Sequence, residues 1–246
     1  MTVVLVHGNP ETAAIWDELR ARLGRDDVVA LSPPGFGAPT RPGFDATMAD
    51  YAAWLIAELE RLPGPLDVIG HDFGGVHVAG VAASRPDLLR SWGCDIGGCL
   101  APEYVWHDLA QVWQTPGDGE AAVAAAAAAP VDARTARFTG MGMTPAAARS
   151  CAEAFDAEMG RCILALYRSA RQPAMADLGR ALERAERRPS LVIVATEDGY
   201  TGGPALARAT AHRIGADIAE LDGLGHWWMM EDPVRGAAAI ADWAAR

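Results

Sequence analysis

The sequence predicts an α/β fold on a mainly parallel sheet covered on both faces. Two observations carry this. Short apolar runs alternate with amphipathic stretches in a βα rhythm, as a sheet flanked by crossover helices requires. With 246 residues, 50% of them apolar and 22% charged, the chain is long enough for one large core.

The predicted strands are 2–6, 27–31, 66–69, 91–96, 191–195 and 217–221. Helical patterns fall at 11–23 and 47–62, and a third helix follows Asp72 directly to about Ser84, where Arg85-Pro86 ends it. From 100 to 173 the rhythm breaks into an Ala-, Met- and Arg-rich stretch punctuated by Thr115-Pro116-Gly117, Ala129-Pro130 and Thr144-Pro145. It reads as several helices without a strand, placed to act as a lid. With no linker or repeat, the expectation is one domain, with a core at 1–99 and 174–246 and a lid at 100–173.

The net charge of −11 and pI near 4.9 argue against nucleic acid or an anionic membrane as partner, since phosphate attraction needs a basic face. No basic n-region follows Met1-Thr2, and the longest apolar stretch, 121–129, is nearly all alanine. Neither a signal peptide nor a bilayer span is expected. Cys94, Cys99, Cys151 and Cys162 form no C-x-x-C pair, so reduced buried thiols and no metal or other cofactor are expected, in a cytoplasmic protein.

The stretch Gly70-His71-Asp72-Phe73-Gly74-Gly75 joins a strand to a helix. It puts G-x-D-x-G where a nucleophile elbow would carry G-x-S-x-G. Alone, the pattern also describes an Asp N-cap. Three further stretches weigh against that reading. His7-Gly8-Asn9-Pro10 leaves the first strand, Thr196-Glu197-Asp198-Gly199 leaves the penultimate one, and Gly223-Leu224-Gly225-His226-Trp227-Trp228 leaves the last. Asp232 and Pro233 suit N-cap and N1 of a final helix, which puts His226 in the loop before it. All four groups fall at carboxyl ends of strands, in the order nucleophile, acid, histidine.

With these motifs the chain resembles the epoxide hydrolase and haloalkane dehalogenase branch of the α/β-hydrolase superfamily over nearly its whole length. The branch usually begins with a β-hairpin, which this chain lacks. Strand 27–31 then becomes a sheet edge, covered by the N-terminal helix or buried in a homodimer. The resemblance implies that Asp72 attacks an sp³ carbon to form an alkyl–enzyme ester, that His226 activates the water that hydrolyses it, and that Asp198 orients His226. Asp95, after another strand, is an alternative acid. The N–H groups of Asn9 and Phe73 would form the oxyanion hole. A carboxylate suits the task because it is ionised at pH 7 and needs no base to attack carbon.

The substrate expected is a small apolar electrophile. Epoxide opening needs acidic O–H donors. Tyr167, in the Y-R pair Tyr167-Arg168, resembles the second lid tyrosine of epoxide hydrolases, and Tyr104 is a weaker match to the first. Dehalogenation needs N–H donors for the halide. Asn9 fits one subgroup of dehalogenases, but Phe73 stands where they carry tryptophan, leaving Trp106 or Trp113 as substitutes. Trp227 is a further candidate wall of the pocket, and Met141, Met143, Met159 and the loop 35–37 suggest an apolar lining. His71 and His7 read as supporting residues, and His77, His107 and His212 as structural or exposed. Epoxide hydrolysis leads, dehalogenation follows, and a binding or accessory role without hydrolysis is the alternative of another class.

Overall fold

The computed structural model describes residues 2–244. Six strands form one sheet in the order β2-β1-β3-β4-β5-β6, with every neighbouring pair parallel. They are β1 (Thr2–Val6), β2 (Val28–Leu31), β3 (Leu66–Gly70), β4 (Leu89–Cys94), β5 (Ser190–Ala195) and β6 (Asp217–Leu221). Strands β1 and β3 are buried at every residue, which explains their unbroken apolar runs. Strand β4 begins earlier than the sequence suggests and stops at Cys94, because Ile96 (ψ 22°) turns the chain into a 3-10 turn, Gly97–Leu100.

The helices are α1 (Asp17–Leu23), α2 (Met48–Leu59), α3 (Phe73–Ser84), α4 (Asp108–Gln114), α5 (Asp118–Ala128), α6 (Val131–Gly140), α7 (Pro145–Ala154), α8 (Ala157–Ser169), α9 (Ala174–Arg184), α10 (Gly203–Ile214), α11 (Trp228–Glu231) and α12 (Pro233–Ala244). Right-handed crossovers run one way from β1 to β2 and the other way afterwards, so α1 lies on the face opposite α2 and α3. Accordingly α1 packs on α12, while α2 and α9 pack on α3. Helix α3 has no polar face: Phe73, Val76, Val78, Ala79, Val81 and Ala82 are all buried.

The expected helix at 11–23 divides into a 3-10 turn, Ala13–Trp16, and α1. Glu11 folds back at its start to accept from the Gly8 N–H at 2.9 Å. The short helix α11 separates His226 from α12, which Asp232 caps by accepting from the Arg235 N–H at 3.0 Å. Between β4 and β5 the residues 100–173 contain helices α4–α8 and no strand. Strand order reverses between β1 and β3, and at such a switch point the carboxyl ends of the two strands leave a crevice. Asn9 and Asp72 stand at its two sides. Among the described residues no helix is long and apolar enough to cross a membrane.

Candidate active site

Asp72 lies two residues past the end of β3 and directly before α3, with φ +49° and ψ −130°, a positive-φ conformation that costs a non-glycine residue energy and lifts its side chain out of the turn. Packing enforces it. A Cβ at Gly70 would collide with the Gly74 backbone, and one at Gly74 with the Val6 carbonyl. The glycines of G-x-D-x-G are therefore close-approach positions.

Asp72 Oδ1 accepts from the Asn9 N–H at 3.0 Å and from Asn9 Nδ2 at 3.4 Å. Asp72 Oδ2 faces His226 Nε2 at 3.9 Å. On the other side of the ring, His226 Nδ1 lies 2.9 Å from Asp198 Oδ2, and Asp198 Oδ1 accepts from the Tyr200 N–H at 2.7 Å. The structure thus brings Asp72, His226 and Asp198 together. Asp95 is occupied elsewhere: Oδ1 accepts from the Asp72 N–H at 3.0 Å, while Oδ2 contacts His71 Nδ1 at 2.5 Å and accepts from Trp228 Nε1 at 2.8 Å. That overturns Asp95 as the partner of His226.

Burial raises the Asp72 carboxyl to about 6; His226 opposes the shift, the nearby Glu11 carboxylate adds to it, and His71 and the Phe73 N–H pull it back. Burial also works against charge on His226, but Asp198 outweighs it and the pKa rises above the ordinary imidazole value. Asp198 moves downward: burial resists, while the charge and hydrogen bond of His226 and the Tyr200 N–H prevail.

Asn9, Asp72 and His226 open on a cavity of about 560 Å³. Its walls are mostly apolar, with Ala122 and Ala126 from α5 and Phe138 from α6. Arg134 and Arg137 also line it, and Arg134 donates to the carbonyls of Ala152 and Ala127 at 2.9 and 3.0 Å. Of the expected wall residues, Tyr167, Trp113, Trp227 and Met141 are present. Met143, Met159 and Phe36 are buried in the core and do not line it.

Two expected substrate contacts are corrected. The Tyr104 hydroxyl donates to the Tyr200 carbonyl at 2.7 Å, and the residue does not reach the cavity. Trp106 lies behind the wall, stacked on Phe73 at 6.0 Å, with its Nε1 buried and, among the described residues, without a hydrogen-bond partner. His107, expected to be structural or exposed, lines the cavity, and burial lowers it to about 4.

The sequence reading missed Tyr200 and Glu11. Tyr200 lines the cavity with its ring 4.9 Å from that of His226. Among the described residues neither its hydroxyl nor that of Tyr167 has a hydrogen-bond partner. Burial and the Asp72 charge raise Tyr167, so it remains a protonated donor. Glu11 is 1% exposed, and its only local signal was a carboxylate beside H-G-N-P. Glu11, His71 and His226 lie close enough to suggest a metal site. However, His71 directs both ring nitrogens at carboxylates and His226 Nδ1 is held by Asp198, which leaves a poor donor set for a metal.

The model of the alpha/beta hydrolase family matches residues 3–240, and the chain belongs to that family. It is an enzyme of the α/β-hydrolase type. It is similar to (E)-2-((N-methylformamido)methylene)succinate hydrolase of Acinetobacter baylyi, 32% identical over 90 residues, 36% of this chain and 34% of that protein. It is also similar to 2-(acetamidomethylene)succinate hydrolase of Mesorhizobium japonicum, 33% identical over 93 residues, 36% of this chain and 33% of that one. These matches span about a third of the curated relatives' length. Among solved structures, E-2-(acetamidomethylene)succinate hydrolase superposes with a TM-score of 0.76 at 19% identity, over 100% of this chain and 91% of the other. A loop variant of a haloalkane dehalogenase from Bradyrhizobium elkanii gives 0.74 at 21% identity, over 99% and 90%. At these identities the structural likeness shows the fold alone.

Proposed function

We propose that the protein hydrolyses small apolar electrophiles through an alkyl ester on Asp72, with epoxides as the favoured substrates. The single observation that carries this reading is a carboxylate at the elbow, with Oδ1 on the Asn9 N–H and Oδ2 facing the cavity and His226. Oδ2 attacks carbon as the carbon–oxygen bond of the epoxide breaks. Tyr167, aided by Tyr200, donates to the departing oxygen. Water then adds to the ester carbonyl and gives a proton to His226. The negative charge developing on Oδ1 is held by the N–H groups of Asn9 and Phe73. Collapse breaks the bond between the ester carbonyl carbon and Oδ2; the departing oxygen takes the proton from His226, the new carboxyl proton returns to the tyrosine, and the diol leaves with Asp72 restored as a carboxylate. Ester formation removes the Asp72 charge, one of the influences raising His226, so the first step favours the neutral base that the second requires.

Two unengaged tyrosine hydroxyls on the cavity support epoxide opening. Dehalogenation draws support from the Asn9 amide and from Trp113 on the cavity, but Phe73 carries no side-chain donor. The curated relatives act on substituted succinates, and their partial match makes amide cleavage a further activity to assay. The test is a panel of epoxides, haloalkanes and those amides, scored for diol, halide and amine. Diol formation supports the reading; halide or amine alone overturns it. A folded protein inert on all three would favour a binding role.

A further inference from the structure

A second group of ionisable side chains lies beneath the nucleophile, and the ester mechanism does not use it. His71 is fully buried between two carboxylates, with Nδ1 2.5 Å from Asp95 Oδ2 and Nε2 3.1 Å from Glu11 Oε1. Each carboxylate is also surrounded by N–H donors. Glu11 Oε1 accepts from Trp227 Nε1 at 2.7 Å and Oε2 from the Gly8 N–H at 2.9 Å. Asp95 accepts from Trp228 Nε1 and from the Asp72 N–H. Carboxylate oxygens so placed already act as acceptors, and an imidazole can donate to two acceptors only with a proton on each nitrogen.

Four loops meet on this cluster: the one after β1 with Gly8 and Glu11, the elbow with His71 and Asp72, the one after β4 with Asp95, and the one after β6 with Trp227 and Trp228. We infer that Glu11, His71 and Asp95 are positioning residues, in which a permanently protonated His71 locks these loops together and fixes the charge states of Asp72 and His226. The kinetic part rests on the nucleophile reading above; the charge on His71 does not.

The ionisable groups facing His71 are Glu11, Asp95, Asp72, Asp198, His7 and His226. Although burial opposes its charge, Asp95 and Glu11 hold His71 well above the ordinary imidazole value. Its positive charge in turn favours ionised Asp72 and disfavours protonated His226. Those are the two states that attack at carbon and later water activation need. His7 is held neutral at about 4, chiefly by burial, so it adds no second cation beside His71 at neutral pH.

Side-chain ¹⁵N NMR of the histidines tests the charge without any substrate. The expected result is His71 protonated on both nitrogens from pH 5 to pH 9; a neutral His71 at pH 7 overturns the inference. Kinetics test the positioning. In His71→Gln the acid limb of kcat/KM should move up by about one pH unit, a loss of about fivefold at pH 6 that approaches tenfold at lower pH. In Glu11→Gln, the milder variant should His71→Gln not fold, kcat should fall at least tenfold with KM within about threefold, and His71 should begin to titrate between pH 6 and 8. A Glu11→Gln enzyme with wild-type kcat and pH profile contradicts the inference. A wild type inert on every electrophile removes the nucleophile reading, and the NMR titration still decides the charge on His71.

Discussion

His226 Nε2 stands 3.9 Å from Asp72 Oδ2, beyond hydrogen-bonding reach, while its Nδ1 is fixed 2.9 Å from Asp198 Oδ2. A serine nucleophile needs its histidine in contact, because the hydroxyl must lose a proton as it attacks. A carboxylate carries no such proton, and the gap leaves the imidazole free for water at the ester carbonyl. His226→Ala should therefore still undergo alkylation and then stall. A burst of about one equivalent per enzyme, followed by turnover reduced about 10³-fold or more, is the expected time course by rapid quench. Sustained turnover near the wild-type rate would remove His226 as the base.

Burial of Asp72 has a consequence for stability. A carboxyl raised from 3.8 to about 6 in the folded chain binds its proton more tightly there than in the unfolded chain. The stabilisation is complete below the unfolded value and is lost as pH rises through 6. Asp72→Asn should therefore stabilise the protein at pH 8, by up to about 3 kcal/mol, and the advantage should vanish near pH 4. Denaturant melts at the two pH values measure this. Equal stability of the two proteins at pH 8 would contradict the burial account.

The tyrosines separate the leaving groups. Tyr167→Phe should lower kcat on epoxides about 10²-fold, and Tyr200→Phe by less, through loss of the donor to the departing oxygen. Halide release, where it occurs, should change little in either variant. Tyr104→Phe should leave kcat within about threefold, since its hydroxyl is bonded to the Tyr200 carbonyl. A Tyr167→Phe enzyme with wild-type epoxide kinetics would argue for another acid.

Much of the fold was legible because strands β1 and β3 are buried on both faces and read as uninterrupted apolar runs. Asp72, Asp198 and His226 were legible because each lies in the short loop after a strand of the parallel sheet, at the carboxyl rim where such a sheet gathers its functional groups. Glu11 was not. A carboxylate after Asn9-Pro10 reads as an exposed first-turn acid, and only the meeting of four loops shows that it is buried. Tyr104 was misplaced because sequence cannot show that its hydroxyl finds a carbonyl 96 residues away. The alanine run at 121–129 reads as a bland helix, yet Ala122, Ala125, Ala126 and Ala129 line the cavity. Their small side chains leave room that larger ones would fill.

A structural ion pair supports the opposite end of the sheet. Asp67, fully buried on β3, accepts from Arg90 Nε and Nη2 at 2.6 and 2.5 Å, and from Ser91 Oγ, while Arg90 Nη2 also reaches the Ala244 carbonyl at 2.8 Å. Arg90→Ala leaves a buried carboxylate without its cation and should cost about 3 kcal/mol in urea melts. Arg90→Ala with Asp67→Leu should recover part of that loss. A double variant less stable than the single one would show that the pair is not the source.

The central claim is that the nucleophile is the Asp72 carboxylate. One turnover of an epoxide in ¹⁸O-water, followed by mass spectrometry of the peptide containing Asp72, tests it most directly. Ester hydrolysis at the carbonyl carbon places one ¹⁸O in the Asp72 carboxylate and leaves the first diol molecule unlabelled. Turnover that puts ¹⁸O in the first diol and none in Asp72 contradicts the account.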